Sequence, residues 1–189
     1  MSKHKQKLKY KKSMLKLKDN HTWNAPKGYK IVVLERGAVS FNMPYKWLVE
    51  DTAPFTMHDA KPPDDNARLS VSYWKFAPGI DWTGLPLDDL LLKSTTDVGH
   101  EILEQSPLTR VERDDIELLW IEQRFLDAEQ QRQAYSRIAV ARGFDVCVLM
   151  TFDLWVDDAP KFQAAWDEIL RSLQLGRVIE DPTKGAVLH

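Results

Sequence analysis

The sequence predicts an α+β domain in which helices flank an antiparallel β-sheet. Three observations carry this expectation. Apolar and β-branched runs of strand length recur through most of the chain, separated by turn residues rather than by helical segments. Helical periodicity is confined to two short regions, one after Pro86 and one after Pro160. The runs at 133–141 and 144–152 follow one another too closely for a crossover helix, so they must pair antiparallel. Strands grouped together, with helices set apart from them, is the α+β pattern rather than the alternating α/β one.

The elements follow in order. Tyr29–Glu35 is β-branched and apolar, Arg36-Gly37 offers a turn, and Ala38–Met43 returns. Pro44 closes that second strand, because it has no amide to donate to a ladder. Trp47–Glu50 forms a further short strand, and Ala53–Asn66, with Pro54, Pro62 and Pro63, reads as loop. Arg68–Phe76 is a longer strand stopped by Pro78-Gly79. At Pro86 a helix begins: Asp88 and Asp89 suit its N-terminal dipole, Leu87, Leu90 and Leu91 share a face, and it ends between Thr95 and Gly99. Ile116–Phe125, Gln133–Ala141 and Phe144–Phe152 are three strands, the last two joined by a tight turn at Arg142-Gly143. Phe162, Trp166, Ile169 and Leu173 recur at spacings of four, three and four, the apolar stripe of a terminal helix that Gly176 stops.

Length and charge divide the chain. Its 189 residues suit one domain, and the formal charge of -2 conceals two regions of opposite sign. Residues 1–18 hold eight lysines and no acid, whereas the remainder carries 18 Lys and Arg against 28 Asp and Glu. The expected organisation is a basic flexible arm over 1–22, one domain over 23–176 and a loosely attached tail over 177–189. With a single cysteine, Cys147, there is no intrachain disulfide framework. The lysines interrupting Leu8, Met14, Leu15 and Leu17 leave no signal-peptide core, and no apolar run reaches membrane-spanning length, so the cytoplasm is the expected compartment.

Local motifs sharpen the fold. Phe41-Asn42-Met43-Pro44-Tyr45-Lys46-Trp47 resembles the F-x-x-P-x-x-W opening of PsbP-like proteins. The hairpin over Gln133–Phe152 matches the paired strands those proteins place before their last helix. Trp166–Leu173 resembles their ending, an apolar helix that runs into a Ser-Leu pair. Over residues 29–175 the chain is thus similar to the PsbP/Mog/DcrB superfamily. The resemblance implies a PsbP-like α/β/α sandwich and a binding or accessory role; these are packing motifs and carry no catalytic set.

The residues themselves offer little chemistry. Of five histidines, His4 and His21 fall in the arm region and His189 is the last residue, which leaves His58 and His100. His58 and Asp59 with Asp64 and Asp65 supply metal-ligand types without a metal-binding spacing, so a solvated acidic loop is the simpler reading. His100-Glu101 reads as a surface pair. No G-x-S-x-G elbow or P-loop occurs, and the carboxylate pairs Asp64/Asp65, Asp114/Asp115 and Asp157/Asp158 are adjacent in sequence, where neighbours tend to point apart. No metal or cofactor is expected, and catalysis is disfavoured.

Aromatic and charged positions suggest binding instead. Trp120 alternates with Ile116 and Leu118 on one strand face and Trp166 belongs to the helix stripe, so both read as core. Trp74 and Phe76 share a strand face with Arg68, Ser70 and Ser72, a mixed pattern that fits a half-exposed surface. Trp82 lies in a loop between two Gly-Pro-rich stretches. Glu122, Arg124 and Arg137 can form a cross-strand charge ladder on a solvent-facing sheet surface. The expected function is therefore that of a non-catalytic accessory or adaptor protein, contacting an unidentified protein partner through Trp74, Trp82, Glu122, Arg124 and Arg137. One alternative is a small-ligand-binding protein or enzyme with a pocket near His58, Trp82 and His100. The other is a polyanion contact, with nucleic acid or an anionic membrane surface, through Lys3, Lys5, Lys7, Lys9, Lys11 and Lys12.

Overall fold

The structure, a computed structural model, describes residues 12–50, 54–77, 79–80, 84–96 and 101–185. Of the positions singled out above, Lys3–Lys11, Trp82, His100 and His189 lie outside the described residues. Among the described residues the strands are β1 (Tyr29–Leu34), β2 (Val39–Pro44), β3 (Leu48–Val49), β4 (Phe55–His58), β5 (Ala67–Lys75), β6 (Glu101–Gln105), β7 (Thr109–Val111), β8 (Glu117–Asp127), β9 (Arg132–Gly143), β10 (Val146–Trp155) and β11 (Gln174–Leu175). The helices are α1 (Leu87–Ser94) and α2 (Ala159–Ser172).

Among the described residues, two antiparallel sheets form. The larger runs β3-β4-β5-β10-β9-β8-β6, with β7 also pairing β8, and the smaller is β1-β2-β11. Register assigns the faces of the large sheet, because side chains alternate along each strand. Trp74 opposes Cys147, Cys147 opposes Arg142, and Arg142 opposes Glu117, so these four share one face. Leu69, Phe152, Arg137 and Glu122 form the corresponding row on the other.

Each face buries its own apolar cluster. On the first, Leu87 and Leu91 of α1 meet Leu119, Ile121, Ile138, Val140 and Cys147. On the second, Phe162, Trp166 and Ile169 of α2 pack with Leu69, Met150 and Phe152 and with Phe41 and Met43 of the small sheet. Trp166 stacks on Phe152 at 5.6 Å between ring centroids and meets Trp120 edge-on at 5.7 Å. Helices on opposite faces of an antiparallel sheet realise the expected α/β/α arrangement.

A buried carboxylate ties α2 to β2. Glu168 accepts from Asn42 Nδ2 at 2.7 Å and from the Arg171 guanidinium at 2.7 Å, and the Asn42 amide donates to Ser172 Oγ at 2.8 Å. The Arg171 hydrogen bond holds the Glu168 carboxyl below its ordinary value against an opposing push from burial, with Asn42 adding to the lowering. A depressed acid contributes stability that is present above its unfolded value and lost as pH falls through the folded one. Stability measured by urea midpoint should therefore decline on acidification below about pH 4.5. The Glu168→Gln protein should start less stable at neutral pH and decline less steeply; parallel curves would contradict the assignment.

Several expectations need correcting. Ala53–Asn66 is not all loop, since Phe55–His58 forms β4 and pairs with β5 in register Phe55↔Val71 to His58↔Arg68. The last hairpin turns at Phe144-Asp145 rather than at Arg142-Gly143: Gly143 still pairs with Val146, and Phe144 takes the left-handed conformation, φ 53°. Strands β6 and β7 also form where none was assigned. The chain after Gly176 is held between Arg177 and Ile179, whose amides donate to the carbonyls of Gly37 and Arg36. Gly37 permits this approach. Its φ is 103°, and a Cβ there would lie 2.0 Å from the Arg177 carbonyl oxygen. Farther on, the Lys18 and Thr22 amides donate to the carbonyls of Thr183 and Lys184, and Lys18 pairs with Asp181 at 2.8 Å. The end of the basic segment and the start of the tail therefore hold one another.

Candidate functional site

The partner-binding residues read from the sequence divide between the two faces. Glu122 and Arg137 do pair, at 2.7 Å across β8 and β9, while Arg124 turns to Glu104 of β6 at 2.8 Å. The expected solvent-facing ladder needs correction, however, because the Arg137 side chain is only 6% exposed. Its charge is neutralised inside the domain, on the face that α2 covers. Trp74 lies on the opposite face and is 45% exposed.

That face is covered unevenly. Helix α1 lies over β8 and β9. Beside it, Ser70, Ser72 and Trp74 of β5 and Leu149 and Thr151 of β10 are half-buried or exposed. The register links this strip to the end of the sheet, since the Phe76 amide donates to the carbonyl of Asp145 in the β9–β10 turn. Phe144 of that turn and Ile80 are both exposed at the same end.

An open cleft of ≈ 560 Å³ lies at this end, with Ile80, Arg110, Arg113, Glu117, Arg142 and Phe144 in its lining. Its guanidinium groups are engaged within the protein. Arg110 and Arg142 both donate to Glu117, and Arg142 also reaches the Leu85 carbonyl at 3.0 Å. Arg113 clasps Asp115 and donates to the carbonyls of Leu170 and Arg171 at the end of α2. Burial pushes the Glu117 carboxyl upward, but hydrogen bonds from Arg110 and Arg142 outweigh it and hold the group below its ordinary value. Asp115 behaves alike through Arg113. These ion pairs join loops to strands around the cleft.

His58 sits elsewhere, at the far end of β4. It is buried, its Nδ1 lies 2.7 Å from Asp65 Oδ2, and its Nε2 faces Glu50 Oε1 at 3.5 Å. Asp59 meanwhile accepts from the amides of Asn66 and Ala67, which shapes the hairpin loop. The acidic loop read from sequence is thus a built hairpin end, and among the described residues no group of three ligand-type side chains is arranged to hold a metal. His58 does not line the cleft described above.

Cys147 is buried beneath α1, and burial pushes its thiol up to about 11, with Arg142 opposing the shift. At pH 8 on the order of one molecule in a thousand would carry the reactive thiolate. Labelling of the native protein by a thiol reagent should be at least about a hundred-fold slower than in denaturant. Comparable rates would show that Cys147 is accessible.

The matches with known proteins agree with this geometry. A family model, Alr1449, matches residues 30–179. The chain belongs to the Alr1449 family. A curated relative, alr1449 of Nostoc sp. strain PCC 7120, itself uncharacterized, is 40% identical over 180 residues, covering 94% of this chain and 93% of the relative. Among solved structures, the cyanobacterial PsbP protein (CyanoP) of Synechocystis sp. PCC 6803 matches with a TM-score of 0.54 at 11% identity, covering 80% of this chain and 95% of its own. LpqN of Mycobacterium tuberculosis, involved in cell envelope biogenesis, matches with a TM-score of 0.51 at 10% identity, over 77% of this chain and 90% of its own. At such identities the likeness concerns the fold alone: this member of the Alr1449 family has a PsbP-like fold. Among the described residues, no helix is long and apolar enough to cross a membrane.

Proposed function

We propose that the protein is a non-catalytic accessory or adaptor protein of the cytoplasm, binding another protein through the strip of sheet beside α1. The carrying observation is Trp74, a large aromatic side chain 45% exposed on a strand face that also carries Ser70 and Ser72. Exposed tryptophan is a typical interface anchor, because it offers much apolar area with few rotatable bonds. Ser70, Ser72 and Thr151 around it supply adaptable hydrogen-bonding groups, and Ile80 and Phe144 extend the apolar surface at the same end of the sheet. Glu122 and Arg137 are left out of this reading, since their charges already satisfy one another.

A photo-activated cross-linking residue at position 74, in full-length protein expressed in its native host, tests the proposal. One saturable adduct is expected, suppressed by excess unlabelled protein but not by excess Trp74→Ala protein, and absent when the probe stands at exposed Gln163 of α2. Equal yields at the two positions, or none at 74, would overturn it.

A further inference from the structure

Among the described residues the outer edge of β3 has no strand partner, and Lys12 reaches it. β3 is the outermost strand of the large sheet and pairs with β4 through Leu48↔His58 and Val49↔Met57. The Glu50 amide donates to the Thr56 carbonyl, so Glu50 and, two residues earlier, Leu48 direct their backbone groups toward β4. Alternation along the ladder turns the amide and carbonyl of Val49 outward. The Val49 carbonyl accepts from Lys12 Nζ at 2.8 Å. Among the described residues no strand pairs with this edge, and the Lys12 side chain is anchored on it.

The surface beside this edge suits those residues. Glu50 follows Val49 directly and its side chain is 50% exposed. Asp64, in the β4–β5 loop, is exposed. Asp59 lies in the same loop, 3.8 Å from Lys161, and Asp65 pairs with His58. His58 adjoins this surface, with its buried Nε2 3.5 Å from Glu50 Oε1.

The outlying sequence has a matching pattern. Lys3, Lys5, Lys7 and Lys9 alternate with Ser2, His4, Gln6, Leu8 and Tyr10. In an extended strand such alternation places every one of these lysines on one face. Nine residues span about 30 Å when extended, enough to pass along β3 and reach the acidic loop.

We infer that the lysine-rich segment Lys3–Lys11 docks on its own domain along the open edge of β3, pairing its lysines with Glu50 and Asp64. The arm is then held by an internal surface that competes with any external polyanion, and ionic strength sets the balance between them. Salt weakens such contacts strongly, since the screening length falls to about 3 Å at 1 M.

Zero-length carbodiimide coupling of the full-length protein, followed by peptide mapping of the monomer band, tests this directly. Links from Lys3–Lys11 to Glu50 and Asp64 are expected about tenfold more often, per carboxylate, than links to exposed Glu101 or Asp88. Raising the salt to 1 M should abolish that preference. Three results would each overturn the inference: links scattered evenly over exposed carboxylates, links in a mixed isotopic sample formed only between heavy and light copies, or tight binding of a short DNA duplex by an arm that shows no edge links without it.

Discussion

Replacing Trp166 with Ala should lower the unfolding free energy by about 3–5 kcal/mol, the usual cost of removing a large aromatic from a closed core. Trp166 is completely buried at the junction of α2, the large sheet and the small sheet. Its ring stacks on Phe152 and meets Trp120 edge-on, so truncation removes both contacts and leaves a cavity between rigid layers. Neighbouring strands fix those partners, and the site cannot collapse cheaply. A urea titration should show a lower midpoint at unchanged slope, and the melting temperature should fall by about 10 °C. Trp166→Phe is the informative companion. The indole Nε1 has no hydrogen-bond partner, so a phenyl ring gives up area but no hydrogen bond, and the loss should be less than half of that for Ala. An Ala variant within 1 kcal/mol of the parent would mean that the three layers do not share this core.

Trp166 was also among the most legible residues in the sequence, and the reason is physical. A stripe at spacings of four, three and four has one structural solution, and long β-branched runs leave strands few alternatives. Short elements lacked such a signal. Phe55–His58 is four residues long and lies between prolines, and Glu101–Gln105 is exposed at every position, so no alternation marks it as a strand. The last turn lies two residues beyond the Arg142-Gly143 position that the sequence suggests, because glycine is the usual left-handed residue. Here Phe144 adopts that conformation, while Gly143 stays in the ladder, where a Cβ would come within 2.6 Å of the Ile116 side chain. The attachment of Ile179 was invisible for a different reason: three amides beside one glycine make no periodic pattern.

The candidate site was legible strand by strand but not across strands. Sequence alternation places Trp74 with Ser70 and Ser72, and Glu122 with Arg124, yet it cannot say that the two sets look in opposite directions. That follows only from counting register through β10 and β9. The His58–Asp65 pair is likewise a product of the hairpin, because Asp59 must first bind the amides of Asn66 and Ala67 to bring residues seven apart into contact. Exposure of Trp74 agreed with the sequence reading, since the polar residues on its strand face already implied a surface incompletely covered.

Removing the Glu122 carboxylate should be among the most damaging single changes, costing about 3 kcal/mol as Glu122→Ala, the low end for a broken buried ion pair. The asymmetry of the pair sets this value. Arg137 is 6% exposed and Glu122 24%, so the loss leaves a guanidinium that cannot easily regain water. The Arg137 Nη1 already lacks a partner, which leaves the group little capacity to absorb a further loss. Arg137→Met should cost less, because a flexible apolar side chain fills the space and Glu122 can turn toward solvent. The double variant Glu122→Leu, Arg137→Met should then recover most of the loss, since an apolar pair of similar volume often replaces a buried ion pair without penalty. Midpoints from urea titrations of the four proteins give the coupling between the two positions. A Glu122→Ala protein as stable as the parent would return Arg137 to the surface, and with it the possibility that the charge ladder meets a partner.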